Sequence, residues 1–430
     1  MSFLSRIFYN LIFIPLLFVA YQAYALFNGK ARDGLNGRKG LFDQLKNRIP
    51  FKSADGREKL PVIWFHCASV GEFEQARPII SAVKNKARIV VTFFSPSGYN
   101  LASNYPHADL VSYLPFDTPR NAKMMFDLIK PSILVFVKFD VWPNYVWTAG
   151  NRGIPIVFAD ATLHEKSKRL SPIIRSFMKS IHKHITLHCA ISASDAKRFK
   201  LLCPENARIE VMGDTRFDQV IARRNSAGKK LEGLLPKFDV PVIIAGSTYT
   251  EDEAIVIEAY QKVLTDWGKV QLILVPHEPE PERLKEIEDL MADKKLPFMR
   301  LANLEKGKHQ GEAIIVDRVG VLAELYMLGD IAFIGGSFHR SVHNVMEPAI
   351  MGKPVLFGPT IHNSLEAFML MKLGAGIMVK NGDEMASELI KLLKDIELRV
   401  RLGQIGKIMI EENAGATEKI ATRINELLSL

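Results

Sequence analysis

Continuously apolar runs recur along nearly the whole chain, and helix-length segments separate them. In the first half they are PVIWFH (61–66), RIVVTFF (88–94), LVSYLP (110–115), ILVFV (133–137), IPIVFA (154–159), LHCAIS (187–192) and RIEVMG (208–213). None alternates with polar positions, as a strand with one solvated face would. Unbroken runs of β-branched and aromatic residues predict strands buried on both faces of a parallel sheet, joined by right-handed helical crossovers. The polar stretch RRNSAGKKLEGLLPKFD (223–239) reads as a linker. The pattern then restarts with PVIIAGS (241–247), QLILVPH (271–277), LPFMRL (296–301), EAIIVD (312–317), DIAFIGG (330–336), KPVLFGP (353–359) and GIMVK (376–380). The final segment reads as amphipathic helices.

The expected class is therefore α/β, with two successive Rossmann-like domains facing a cleft. The expected division is an N-terminal anchor (1–30), a first domain (31–222), a linker (223–240), a second domain (241–405) and C-terminal helices (406–430). A chain of 430 residues also exceeds the roughly 250–300 residues that one core supports. Ligands of such sheets bind beyond the carboxyl ends of the strands, so the loops there carry the candidate chemistry.

Before the first strand, IFYNLIFIPLLFVAYQAYALF (Ile7 to Phe27) approaches the roughly 20 apolar residues that cross a bilayer. Asn10, Pro15 and Gln22 interrupt it, and Tyr9, Tyr21 and Tyr24 lie towards its ends. Lys30, Arg32, Arg38 and Lys39 follow, which places the body on the cytoplasmic side by charge bias. There is no strong basic leader or clean small-residue cleavage site. The segment is read as an uncleaved anchor, spanning the bilayer or lying partly in its interface.

Charge extends that reading. The formal net charge is +9. From His164 to Lys200 nine lysines and arginines are opposed only by Glu165 and Asp195. That run is either a solvated face or a patch drawn to an anionic lipid surface. It lacks the interleaved aromatics of a nucleic-acid site, so no nucleic-acid partner is expected. Three widely spaced cysteines, Cys67, Cys189 and Cys203, argue against a disulfide framework or zinc motif and for a reducing compartment. His182, His184 and His188 lack the spacing of a helical metal pair and read as structural or lipid-facing. No metal and no cofactor are expected.

Candidate chemistry begins in HCASVGEFEQARPII (66–80). Glu72 stands at the lip of a strand-to-helix turn, as a helix-start charge or a base. Pro78 is expected to kink the helix or delay its start toward Arg77, leaving Glu72 in the turn. In the second half, Thr250 and Glu253 of GSTYTEDE (246–253) have capping-box spacing, and Gly246, Ser247 and Thr248 could face a phosphate. In IGGSFHRSVHNVMEPAIMGKPVLFGP (334–359), Gly335 and Gly336 permit close backbone approach to a ligand. Asn344 can cap a short helix carrying Glu347, whose carboxylate can cap or can accept both ribose hydroxyls. FIGGS is neither a Walker A nor a dinucleotide fingerprint.

Taken in order, HCASVGE, VTFFSPSGY, LPFDTP, DVWPN, GDTRFD, VPHEPEPER and GGSFHRSVHNVMEPA…GPTIHNSLEA resemble the 3-deoxy-D-manno-octulosonic acid (Kdo) transferases of lipopolysaccharide synthesis. The resemblance runs through essentially the whole chain. It implies a GT-B fold, with the acceptor held by the first domain and the sugar nucleotide by the second. It further implies inverting, metal-free transfer of Kdo from CMP-Kdo to the lipid A precursor at the cytoplasmic face of the inner membrane. Glu72 then matches the general base, with Ser69 and Gly71 on the acceptor side. Pro276, His277, Val319, Gly320, Val321, Gly336, Ser337, Asn344, Val345, Met346 and Glu347 match the donor side. Arg216 falls where a basic residue assists the transition state. Two departures stand out. Where the family commonly has E-T-E before W-P-N, this chain has Lys138 and Asp140 around Phe139, and Val321 stands where a glutamate is frequent. Lys138 is then a candidate cation beside the donor's carboxylate.

Other classes fit the same pattern: a GT-B UDP-sugar transferase acting on another lipid acceptor, a soluble GT-B nucleotide-sugar epimerase, or a membrane-tethered binding protein without activity.

Overall fold

The computed structural model describes residues 2–49, 60–231, 238–304 and 313–429. All fourteen apolar runs are strands: β1 (62–67), β2 (88–93), β3 (110–113), β4 (133–137), β5 (156–161), β6 (187–190), β7 (209–211), β8 (242–248), β9 (271–276), β10 (298–300), β11 (313–315), β12 (331–334), β13 (355–357) and β14 (376–378). They form two seven-stranded parallel sheets, ordered β3-β2-β1-β4-β5-β6-β7 and β10-β11-β9-β8-β12-β13-β14. In register, Ile63 faces Ile89 on one side and Ile133 on the other. β2 and β4 are buried along their whole length, which is why these runs do not alternate.

The strand order fixes where a site can form. It reverses between β1 and β4 in the first sheet and between β8 and β12 in the second. At such a switch point neighbouring loops diverge to opposite faces and leave a crevice at the carboxyl edge. Glu72 follows β1, and Lys138 and Asp140 follow β4. Glu253 follows β8, and the Gly335–Glu347 segment follows β12.

Helix starts follow local polar chemistry. Ser95, Thr118, Ser192, Ser364 and Asn381 each accept an amide of the first turn, satisfying donors that the helix leaves unpaired.

The chain divides into two compact units, residues 1–219 with 414–430, and residues 220–413. The boundary lies within a helix, Thr215–Leu231, so the polar stretch expected to link the domains begins as helix. Its residues 232–237 lie outside the described residues. The last helix, Ala416–Leu428, returns to the first unit. Its Ile420, Ala421 and Ile424 join Phe65, Ile79 and Val135 in one apolar core. Asp218 fixes the return by accepting the amides of Gly415 (2.7 Å) and Thr417 (2.9 Å).

The apolar N-terminal segment is helical from Ser2 to Phe27, with a π-turn at Tyr9–Phe13 just before Pro15. A wider turn there accommodates the proline's missing N–H. Ser5–Phe27 is long and apolar enough to cross a membrane. One face packs on the first unit: Tyr9 against Trp147 and Phe177, Phe18 against Phe116, and Tyr21 against Phe94. Tyr9 donates to buried Asp117 (2.7 Å), and Asn10 accepts from Asn144 (2.8 Å). Leu11, Leu16, Val19 and Leu26 are exposed on the helix.

Candidate active site

In the first unit Glu72 lies in the first turn of an unbroken helix, Val70–Val83. Pro78 neither breaks that helix nor delays its start, contrary to the sequence expectation. Its missing hydrogen bond costs about 3 kcal/mol, and burial of Phe73, Ala76, Ile79, Ile80 and Val83 outweighs it at about 1.5–3 kcal/mol for each large side chain. Glu72 is only 5% exposed, and its Oε2 accepts the Ser69 amide at 3.0 Å. Burial, then the nearby Asp140, raise its pKa to about 7; the amides of Ser69 and Ala68 and the Lys138 cation oppose them. The carboxylate caps its own helix, and its surroundings raise its pKa toward neutrality. Ser69 and Gly71 are exposed beside it.

Lys138 and Asp140 flank this group from β4 and are half-buried. Lys138 has a left-handed backbone, φ 67°, costly for a residue with a side chain. Its amide donates to Ala159 (2.9 Å) and its carbonyl accepts from Thr162 (3.2 Å), which hold the turn. Burial, then Arg216, lower its pKa. Burial raises that of Asp140, against Arg169. Arg216 is held by its neighbour: Nε and Nη2 donate to Asp214 Oδ2 at 2.9 and 2.7 Å. Asp214 also accepts Gln75 (3.3 Å). Fully buried Asp160, also left-handed at φ 48°, accepts the amide and hydroxyl of Thr215. Burial and Asp214 push its pKa up. Asp160 and Asp214 were not picked out from sequence. The left-handed turn at Asp160 and the coupling of the two acids join residues far apart in the chain, and only the acid that follows the apolar run 154–159 hints at them.

In the second unit the polar groups near the glycines serve the loop itself. A Cβ on Gly335 would meet Ser247 O at 2.3 Å, and one on Gly336 would meet Ser341 O at 2.2 Å. The close approach permitted by these glycines is thus to their own chain. Asp252 accepts the amides of Tyr249 (2.9 Å), Gly336 (2.7 Å) and Phe338 (3.0 Å). The Ser337 hydroxyl donates to Ile334 O and accepts the Gly358 amide, both at 2.7 Å. The Gly336 amide and the Ser337 hydroxyl therefore have internal partners. The capping pair also differs from the expected Thr250 and Glu253: the cap is Tyr249 with Asp252. Glu253 instead accepts the Thr248 hydroxyl (2.9 Å) and pairs with Arg283, which also occupies the hydroxyl expected to face a phosphate.

The remaining residues expected on the donor side divide by exposure. His277 is exposed at the end of β9, next to buried Pro276. Val319 and Gly320 are exposed after β11, with Gly320 at φ 85°, and Val321 caps a short helix, Leu322–Leu325. Asn344 is exposed and accepts the Met346 amide (3.0 Å) at the start of Met346–Ile350. Val345 and Met346 point into the core. Glu347, 9% exposed, pairs with Arg223 Nη1 at 2.5 Å. A stack missed in the sequence joins these loops: His277 lies over His343 (4.5 Å), and Tyr249 over His343 (5.6 Å) and beside His339 (5.0 Å). Burial and His277 lower the His343 pKa to about 4, so that ring is neutral at pH 7. The spacing between these rings spans three loops and carries no periodic signal.

His182 and His188 are not lipid-facing. The turn between helix Pro172–His182 and β6 brings both into the interior beside Cys203. Their rings stack at 5.2 Å, and burial lowers both pKa values. The three cysteines are buried and free.

Two doubly wound parallel sheets of seven strands each make the fold called GT-B. Solved structures with this fold include a glycosyltransferase from Rickettsia africae (TM-score 0.56, 15% identity, covering 86% of this chain and 99% of that one). A UDP-GlcNAc 2-epimerase from Neisseria meningitidis shares it too (TM-score 0.56, 13% identity, 82% and 99%). Residues 43–219 match the family described as 3-deoxy-D-manno-octulosonic-acid transferase (kdotransferase). The 3-deoxy-D-manno-octulosonic acid transferase of Aquifex aeolicus is 30% identical over 86% of this chain and 97% of its own. That of Haemophilus influenzae is 28% identical over 83% and 85%. The chain belongs to the Kdo transferase family and is a transferase of lipopolysaccharide synthesis.

Proposed function

We propose that the protein transfers Kdo from CMP-Kdo to a lipid A precursor, an acylated and phosphorylated glucosamine disaccharide, at the cytoplasmic face of the inner membrane. The observation that carries this reading is Glu72: a buried carboxylate beyond β1 at the switch point, its pKa raised to about 7. Such a group is matched to accept a proton near neutral pH. As the acceptor hydroxyl attacks the anomeric carbon of Kdo, Glu72 takes its proton. The new C–O bond forms on the face opposite the departing phosphate, the bond to CMP breaks, and the configuration inverts. The first unit takes the acceptor and the second the donor. Lys138 faces the Kdo carboxylate, and Arg216, oriented by Asp214, supports the developing charge. Glu347 accepts ribose hydroxyls, and His277 on His343 offers a flat surface to the base.

The membrane reading rests on the apolar outer face of the N-terminal helix, whose inner face is packed on the first unit from Tyr9 to Tyr21. A helix held along its length lies in the interface with its apolar face down. Helix Pro172–His182 adds Ile173, 89% exposed, among the basic residues 164–200.

The test is incubation of purified protein with CMP-Kdo or UDP-sugars and the bis-phosphorylated tetra-acylated disaccharide, read by mass spectrometry. Addition of Kdo from CMP-Kdo alone supports the proposal. Transfer from a UDP-sugar makes the protein a different lipid glycosyltransferase, and UDP-sugar epimerisation without transfer gives the epimerase reading.

A further inference from the structure

Asp160 and Asp214 are two buried carboxyls close enough to repel one another, and their hydrogen bonds tell them apart. Asp214 Oδ1 accepts the Arg216 amide (2.9 Å) and Gln75 Nε2 (3.3 Å). Its Oδ2 accepts Arg216 Nε (2.9 Å) and Nη2 (2.7 Å). Four donors fill the four lone-pair directions of an ionised carboxylate. Asp214 therefore carries the charge and has no place for a proton.

Asp160 has different neighbours. Its Oδ1 accepts the Thr215 amide at 2.9 Å, and its Oδ2 lies 2.6 Å from the Thr215 hydroxyl. The same hydroxyl lies 2.8 Å from the backbone carbonyl of Gln75. A hydroxyl has one proton to give and a carbonyl has none. Were Asp160 ionised, that proton could serve only one of the two oxygens, and the other would face Oγ1 across a repulsive contact. With an acid proton on Oδ2, both contacts are hydrogen bonds: Asp160 donates to Thr215, and Thr215 donates to Gln75. A second buried carboxylate beside Asp214 is also disfavoured by like charge. Burial, then Asp214, raise the Asp160 pKa to about 8, against Thr215 and Arg216. Lys138 at the end of β4 and the buried Cys189 thiol on β6 also lie within reach of its charge.

These bonds join the two parts of the first unit's site. β5 is irregular between Phe158 and Ala161, and such a bulge re-aims a side chain. Asp160 there has φ 48°, which aspartate tolerates better than most residues. Gln75 lies three residues after Glu72, on the same face of the same helix. Thr215 directly precedes Arg216. The Glu72 helix is thus tied twice to the turn that carries Arg216, by the carbonyl and by the side-chain amide of Gln75.

We infer that Asp160 is a positioning residue, held as a neutral acid, whose proton chain through Thr215 to Gln75 sets the Glu72 helix against the turn carrying Arg216. Its part in turnover rests on the transfer proposed above; its proton does not, so the two are tested apart.

Thermal denaturation of the full chain is followed by circular dichroism, as a function of pH, for wild type and Asp160→Asn. Asparagine keeps the shape, donates to Thr215 from its amide and cannot ionise. The unfolded chain ionises Asp160 at about 3.9, so between there and about 8 the folded state holds a proton that the unfolded state lacks. Wild type is therefore expected to lose denaturation midpoint relative to Asp160→Asn as pH rises through that window, and the gap to level above it. A gap that stays constant with pH overturns the neutral acid.

At neutral pH, Asp160→Ala is expected to lower kcat about tenfold or more with CMP affinity unchanged, and Asp160→Asn to recover most of that loss. Asparagine as poor as alanine, or full kcat with alanine, overturns the positioning role. If Asp160→Ala does not fold, Thr215→Val removes the hydroxyl alone; it is expected to lower kcat in the same way, and unchanged kcat overturns the role. A pH-dependent gap in a protein that transfers no Kdo upholds the neutral acid and removes the reaction it positions.

Discussion

Glu72 and Glu347 are both buried glutamates in the first turn of a helix beside a switch point, one in each unit, yet their surroundings differ. Glu72 is buried beside a second carboxylate, Asp140, and its pKa rises to about 7. Glu347 is paired at 2.5 Å with Arg223. An arginine partner favours the charged form, whereas burial beside another acid favours the protonated one. One fold plan therefore supplies two carboxylates in different surroundings: one buried beside another acid, the other held by an arginine.

The comparison is broken most directly by removing each acid. Glu72→Ala is expected to lower kcat by about a hundredfold to ten-thousandfold, with CMP affinity unchanged. Glu74→Ala, at a half-buried acid paired with Arg77 and bonded by Gln219, is expected to keep kcat within about threefold of wild type, because it removes no proton acceptor from the reaction. Both are read in steady-state transfer assays. Asp252→Ala tests whether the second unit's loop is held as described. It strands the amides of Tyr249, Gly336 and Phe338 and is expected to cost about 3 kcal/mol, read as a lower denaturation midpoint together with weaker CMP binding. Glu347→Gln is expected to raise the KM for CMP-Kdo about tenfold with a smaller change in kcat.

The smallest expected effects sharpen the comparison through pH. Asp140 raises the Glu72 pKa and Lys138 lowers it. Asp140→Asn is therefore expected to move the acidic limb of the rate profile to lower pH, and Lys138→Ala to higher pH, each by about one unit or less. Shifts of the same sign in both variants would remove the opposed-charge account of this site.

The pattern of apolar runs located every described strand: the central ones, such as β2 and β4, are buried along their whole length, and the edge strands β7, β10 and β14 are partly covered. It also brought Glu72 and His277 to strand ends, since residues just beyond a run lie at a sheet edge. What it could not give was contact between distant segments. The ring stack of Tyr249, His277 and His343 joins three loops, and Asp160 meets Thr215 across 55 positions. Hydrophobicity marks Ile420 and Ile424 as core-facing but not which sheet they cover. The kink expected at Pro78 is absent because a proline's local cost says nothing of the packing that opposes it, and the cap expected at Thr250 and Glu253 falls at Tyr249 and Asp252 because spacing alone cannot choose between adjacent caps.

The central claim is that Glu72, with its raised pKa, accepts the acceptor's proton. The pH dependence of kcat/KM for the lipid acceptor, at saturating CMP-Kdo, tests it most directly. A base must be deprotonated to act, so the rate is expected to rise with a midpoint at about 7 and to level above it. A profile already level across that midpoint, or one with the same limb in the residual activity of Glu72→Gln, would contradict the account.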